Sequence, residues 1–250
     1  MAERLGVFIF TGLNGKVAGQ RTDGLTAWLE PAGVRVVPLF DRDRGLFLCG
    51  SDDHRGRAAL QAFLRAEMEG LDRAVFVGGS AGGWGALDHA SALGAAHVVG
   101  LSAITRFDEA AAAHDPRGRH PRLGPRWWDL VPNDRRRNTA RLLEARGYRG
   151  DVVLFHARDH APDCFHAESL AHLPGVRCVP VPASQHAFFR QAGIDVADCL
   201  VRAAALCGFA LPPRPETPPP PPAGQRAGRG TATGSRGAAA VSRAKRALFR

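Results

Sequence analysis

Ser80 lies in the stretch Val75-Phe76-Val77-Gly78-Gly79-Ser80-Ala81-Gly82-Gly83-Trp84-Gly85, where a short apolar run meets a glycine cluster. Gly78-x-Ser80-x-Gly82 fits a nucleophile elbow, a strand–turn–helix in which a strained turn holds a serine hydroxyl clear of the sheet edge. The flanking positions must be nearly free of side chains, because strand and helix approach closely there. A serine hydroxyl is a poor nucleophile at neutral pH. It needs a base within hydrogen-bond reach and a third group to orient that base. The elbow therefore demands an acid and then a histidine further along the chain.

Of ten histidines, His186 answers this best, because it follows the last apolar run, Val176–Val181, and precedes the closing helix. His156 falls inside a strand, and His166 and His172 fall on a helix, where structural or solvent-facing roles are expected. His114, His120 and His160 are loop histidines that could line the site. Two acids compete. Asp159 comes directly after the strand Val152–His156, and spacing favours it; Asp163 stands before a helix, where aspartate is also a favoured N-cap worth ~1 kcal/mol. The oxyanion of an acyl transfer would be met by the backbone N–H of Ala81 and by a second N–H from the loop after the first strand, at Gly12 or Leu13. Trp84 and Trp127-Trp128 are candidates for the wall of an acyl or sugar pocket, with core packing an equal alternative for Trp84.

Other glycine-rich chemistries fit worse. A dinucleotide fingerprint requires its glycines after a strand that opens a βαβ unit, whereas these follow the third strand. A phosphate-binding Gly-Lys-Ser/Thr loop is absent. The five cysteines form no C-x-x-C pair and are odd in number, so no metal site or disulfide framework is expected, and no cofactor is implied.

The elements that must position these groups can be read from periodicity. Strands are expected at Leu5–Phe10, Val34–Phe40, Ala74–Val77, Val98–Leu101, Val152–His156 and Val176–Val181. Helices are expected over about 21–30, 57–69, 81–93, 135–146, 162–172 and 194–207, the second carried by Leu60, Phe63, Leu64 and Met68 at helical spacing. Asp23 is a capping candidate for the first of them. Strands separated by helices imply a three-layer α/β/α sandwich with a mainly parallel six-stranded sheet. Such sheets gather their chemistry at the carboxyl ends of the strands.

The 250 residues suffice for one well-buried domain, assigned to residues 1–211. Beyond Leu211 the prolines and the Gly/Ala/Arg/Ser mixture cannot bury a core, and residues 212–250 read as a disordered tail. From residue 213 onward eight arginines and lysines face only Glu216, a net +7, which leaves +2 of the total +9 for the body. That tail could contact an anionic surface; with Phe249 as its one aromatic, specific nucleic-acid recognition is not expected. Neither a signal-peptide core nor a membrane-spanning length of apolar sequence is present, and a cytoplasmic location is expected.

With elbow, late acid and terminal histidine in this order, the chain resembles the α/β-hydrolase superfamily over about residues 5–208. Closer still, it is similar to a group of bacterial α/β hydrolases encoded among glycan functions. The resemblance rests on Asp41 or Asp43 after the second strand, Gly78–Leu87, Leu101-Ser102-Ala103, Asp163-Cys164-Phe165-His166-Ala167 and His186. It shifts weight toward Asp163 as the acid, against the spacing argument for Asp159. It departs at Ser102-Ala103, where that group has serine–proline. What it implies is a serine hydrolase cleaving an ester, thioester or acylated sugar, with an acyltransferase using the same residues as the alternative. A non-catalytic binding protein of the same fold is the other reading.

Overall fold

The computed structural model describes residues 3–115, 127–131, 133 and 137–215. Its frame is one six-stranded sheet in the order β2-β1-β3-β4-β5-β6, every neighbouring pair parallel. The strands are β1 (Leu5–Phe10), β2 (Arg35–Leu39), β3 (Arg73–Gly79), β4 (His97–Leu101), β5 (Asp151–Ala157) and β6 (Val176–Val181). Central β1 is buried along its whole length, as a strand covered on both faces must be. The edge strands β2 and β6 are partly exposed, and each carries a proline, Pro38 and Pro180. A proline cannot donate to a ladder, so an edge is where a sheet tolerates it.

Alternation along the strands sorts side chains to two cores. Leu5, Val7 and Ile9 of β1 join Val75 and Val77 of β3 on one face, covered by α1 (Asp23–Leu29) and by α8 (Val196–Cys207). Phe8, Phe10 and Phe76 point to the other face, where Phe8–Phe76 and Phe10–Phe76 centroids lie 5.0 and 5.3 Å apart. That face is covered by α2 (Arg57–Met68), α3 (Ala81–Leu93), α5 (Thr139–Ala145) and α6 (Ala161–Glu168). Burying each such aromatic contributes about 1.5–3 kcal/mol. A third, smaller cluster of Leu46, Ala81, Trp84, Ile104, Phe107, Trp127 and Val131 packs along the flank of α3.

Several boundaries differ from expectation, each for a local reason. Asp23 lies inside the first turn of α1, with Thr22 at the cap position. The helix expected from 135 begins at Thr139, because the Asn138 side chain accepts from the N–H groups of Ala140 and Arg141 and fixes the start there. The helix expected to run to 172 ends at Glu168, which leaves His172 exposed beside Glu144. Two short helices, α4 (Glu109–His114) and α7 (Phe189–Ala192), lie where no element is expected. The body also extends past Leu211. Trp28 Nε1 donates to the Pro213 carbonyl at 3.2 Å, and Arg214 pairs with Asp195 and Asp198, the capping-box residues of α8. The proposed tail beyond residue 215 lies outside the described residues, as do His120 and most of the arginine-rich stretch.

Candidate active site

Strand order reverses between β1 and β3: the chain steps from β1 outward to β2, then returns to the other side of β1 and proceeds to β6. A crevice forms at the carboxyl ends of the strands at such a switch point. Ser80 sits there, between the end of β3 and the start of α3. Its backbone has φ 54° and ψ −116°, a left-side conformation that costs a non-glycine residue about 1–3 kcal/mol. The turn is pinned by Ser80 N–H to the Leu101 carbonyl at 3.0 Å and by Ile104 N–H to the Ser80 carbonyl at 2.9 Å. Glycine is required beside it. A Cβ on Gly82 would stand 2.1 Å from the Phe10 carbonyl oxygen, and one on Gly78 would stand 2.4 Å from the Gly82 oxygen.

The two candidate acids are separated by the structure. Asp163 Oδ1 is 2.7 Å from His186 Nδ1, and the Asp163 side chain is wholly buried. Asp159 is more than half exposed and pairs with its neighbour Arg158 at 3.4 Å, so the order favoured by spacing does not describe the contact made. Nor is Asp163 the N-cap. His160 occupies that position and Asp163 falls in the first turn of α6, turned inward. Burial alone would raise the pKa of Asp163. Contacts from His160 and His186, the charge of His186 and the Ser102 hydroxyl outweigh burial and hold the carboxyl far below the usual carboxylate range.

Two further residues meet this carboxylate: His160, expected only as a loop histidine that could line the site, and Ser102, named only within the motif that carries the resemblance. His160 Nδ1 lies 3.1 Å from Asp163 Oδ1, near enough for an ion-pair contact but without hydrogen-bond geometry. Ser102, just past β4, has φ 46°, and its Oγ lies 2.5 Å from Asp163 Oδ2 and 2.8 Å from the His186 carbonyl oxygen. A hydroxyl has one proton to give and both neighbours are acceptors. The charged, closer oxygen has the stronger claim, and the carbonyl shares the remainder. One side chain thus ties β4 to both the acid and the histidine loop. A serine at the end of the strand beside the elbow strand was the only signal in the sequence. Ser102→Ala is expected to lower stability by about 1.5–3 kcal/mol, the cost of losing a hydrogen bond to a charged group. Equilibrium denaturant unfolding checks this, and an unchanged midpoint would refute it.

The other predicted groups fall as follows. Gly12 lies beside the elbow, its added Cβ position 3.7 Å from Ser80 Cβ, but its N–H already donates to the Lys16 carbonyl at 2.7 Å. As an oxyanion donor Gly12 is therefore corrected; among the described residues the Leu13 and Ala81 N–H groups make no such bond. Trp84 and Trp127 are 1% and 0% exposed. Trp84 and Phe107 meet edge-to-face at 4.5 Å, and Trp127 Nε1 donates to the Arg44 carbonyl at 2.9 Å. Trp127 is thus core rather than pocket wall. Trp128 donates its indole N–H to the Phe107 carbonyl. Asp41 accepts from Phe47 N–H at 2.9 Å, and burial, opposed by backbone N–H groups of Phe47 and Gly45, raises its pKa. Asp43 pairs with Arg55 at the surface. His114 stacks on Phe165 at 4.0 Å, and buried His166 lies against Thr105. Cys199 is buried and Cys49 exposed, all five cysteines being free.

Among the described residues two groups have metal-ligand chemistry. His160, Asp163 and His186 bring ligand atoms within 4.8 Å of one another, with Asp163 and His186 already bonded to each other. His97, Asp151 and Cys207 do the same, with the Arg73 guanidinium 2.9 Å from His97 Nε2, a positive charge that opposes a cation. A cavity of about 270 Å³ opens beside Leu13, lined by Asn14, Gly15, Phe40, Asp41, Arg42 and Arg44.

A scan against protein-family models and a search of curated proteins each return no match. Solved structures do match. An α/β hydrolase from the metagenome of lagoon sediments at Mar Chica, Morocco, superposes with a TM-score of 0.55 at 15% identity, over 83% of this chain and 94% of that one. A metagenome-derived lipolytic enzyme, of the pair LipS and LipT, gives 0.52 at 17% identity, over 83% and 95%. Acetyl xylan esterase 1 from Thermoanaerobacterium sp. JW/SL YS485 gives 0.50 at 17%, over 74% and 71%. At these identities the likeness is one of architecture, and with the parallel sheet and the elbow at its switch point it leads to one conclusion: this chain has the α/β-hydrolase fold.

Proposed function

We propose that the protein is a serine hydrolase of ester bonds, with Ser80 as nucleophile, His186 as general base and acid, and Asp163 as the group that orients the imidazole. The observation that carries this is the 2.7 Å bond between buried Asp163 and His186 Nδ1 in a fold that already presents Ser80 on a strained turn. A carboxylate on Nδ1 holds the proton there and leaves Nε2 as the basic nitrogen for the serine proton. Ser80 Oγ would attack the carbonyl carbon as its proton passes to His186. The tetrahedral oxyanion would be met by the N–H groups of Ala81 and Leu13. Collapse returns the proton to the departing alcohol and leaves an acyl-serine, which water cleaves by the same steps reversed.

The superposed lipolytic enzyme and acetyl xylan esterase are in keeping with ester chemistry. The cavity beside Leu13 is small and includes Asn14, Asp41, Arg42 and Arg44 in its lining, which suits a hydroxyl-bearing alcohol such as an acylated sugar better than a long acyl chain. The test is labelling by a fluorophosphonate, which phosphonylates an activated serine. The native protein is expected to label, and Ser80→Ala to lose the label while keeping its far-UV circular dichroism. A native protein that folds but resists the probe would overturn the assignment. Hydrolysis of p-nitrophenyl acetate and of acetylated sugars should then exceed that of long-chain esters.

A further inference from the structure

A second cavity, of about 770 Å³, runs along the flank of the nucleophile helix α3 and is lined by neither Ser80 nor His186. Trp84 and Asp88 of α3 form its inner wall, one and two turns past Ser80. Arg57 of α2 and Arg141 and Arg146, on and just after α5, line it too, together with Leu48, Leu130, Val131, Leu142 and Ala145. The charges do not balance. Asp88, whose side chain is 6% exposed, is the acidic residue among the described lining, which also holds the three arginines Arg57, Arg141 and Arg146.

Two of those have a structural duty. Arg57 grips both oxygens of Asp88, with Nη2 2.8 Å from each, and so ties α2 to α3. Arg146 Nη1 lies 2.9 Å from Asp88 Oδ1 and also donates to the Asp88 carbonyl and to Ser91 Oγ, tying the end of α5 to the same helix. One carboxylate thus serves two cations, and its lone pairs are spent on them. Among the described residues the cluster keeps a net positive charge, with N–H donors of Arg57 and Arg146 left over. Arg141, exposed on α5, adds a third cation, and among the described residues its side chain makes no hydrogen bond or ion pair. Leu48, Leu130 and Val131 line the same cavity and supply apolar surface, over the buried Trp84. A concave site that combines cationic donors with apolar lining residues has the usual make-up of a small-molecule pocket. Guanidinium groups select carboxylate and phosphate oxygens by paired N–H donation.

We propose that this cavity is a binding site for a small organic anion, a carboxylate or phosphate head group on a short apolar body, separate from the Ser80 crevice. Arg141 meets the head group together with the free donors of Arg57 and Arg146, and Leu48, Leu130 and Val131 hold the body. The proposal stands independently of the catalytic reading.

Titration calorimetry of the full chain with hexanoate, hexyl phosphate and 1-hexanol tests it. At least one anion is expected to bind at one site, about tenfold or more tighter than the neutral alcohol, and the two anions distinguish a carboxylate from a phosphate preference. Arg141→Ala, at an exposed position, should weaken the anion about fivefold or more, and Ala145→Trp, which fills the cavity from its rim, should abolish binding. Prior phosphonylation of Ser80 should leave the affinity unchanged. Equal affinity for anion and alcohol, indifference to Arg141→Ala, or loss of binding on phosphonylation would each overturn the proposal. Failure of the phosphonate to react would count against the catalytic reading alone, and the Arg141 and Ala145 variants would still decide this one.

Discussion

Asp163→Asn is expected to lower kcat/KM for a p-nitrophenyl ester by about 10⁴-fold, and Asp159→Asn to change it by less than about twofold. An amide in place of the carboxylate can still sit against His186 Nδ1, but its NH₂ presents a donor there. The imidazole would answer with an acceptor at Nδ1 and carry its proton on Nε2, the nitrogen that must take the serine proton. Asp159, exposed and paired with Arg158, has no path to that outcome. A large loss in the Asp159 variant, or none in the Asp163 variant, would refute the assignment. The same carboxylate links activity to stability. Its folded pKa lies below the unfolded value of about 3.9, so its stabilising contribution is fully present above that value and fades as pH falls toward the folded one. Native protein should therefore lose stability on acidification below about pH 4 more steeply than Asp163→Asn, as measured by denaturant midpoints across pH.

Gly82→Ala is expected to cost about 3 kcal/mol or more, or to prevent folding altogether. The added methyl would stand 2.1 Å from the Phe10 oxygen and 2.6 Å from both the Phe10 carbon and the Thr11 oxygen. All three are backbone atoms of the central strand and the loop after it, and cannot turn aside as a side chain can. Relief requires α3 to move off the sheet, which would carry Ser80 with it. Gly94→Ala is the control. Gly94 caps the other end of α3 at φ 71° with no atom near its Cβ position, so alanine there meets only the local cost of a left-handed conformation, roughly 1–2 kcal/mol. Comparable denaturant midpoints for the two variants would show that strand and helix do not meet as closely as described.

Much of this architecture is legible in the residues because it depends on local periodicity. The continuous apolar runs of β1 and β3, the limits of α3 and the run Val176–Val181 mark themselves by composition, and an order of strands and helices follows from them. The glycines around Ser80 announce a close approach without saying what approaches; in the structure it is the end of β1. His186 is singled out by its place after the last strand, a property of chain order.

The choice of acid is of another kind. Asp159 and Asp163 are four residues apart with similar sequence credentials, and what divides them is the path of the chain into α6: it starts at Ala161, which turns Asp163 inward and leaves Asp159 in solvent. Spacing counts residues along the chain, whereas a hydrogen bond depends on where the backbone points. The same holds for Gly12, whose N–H is taken by Lys16 in a tight loop, and for Trp127, sealed under Arg44. Ser102 illustrates it best. By sequence it is one more residue after a strand. Only the packing of β4 against β3 and β5, and the return of the chain at residue 186, bring its single proton between a carboxylate and a carbonyl 61 and 84 positions away. Sequence alone thus determined the fold class and the candidates Ser80 and His186, because these rest on local pattern and chain order. Which groups meet was decided by the tertiary structure, since contacts across such separations are made by packing.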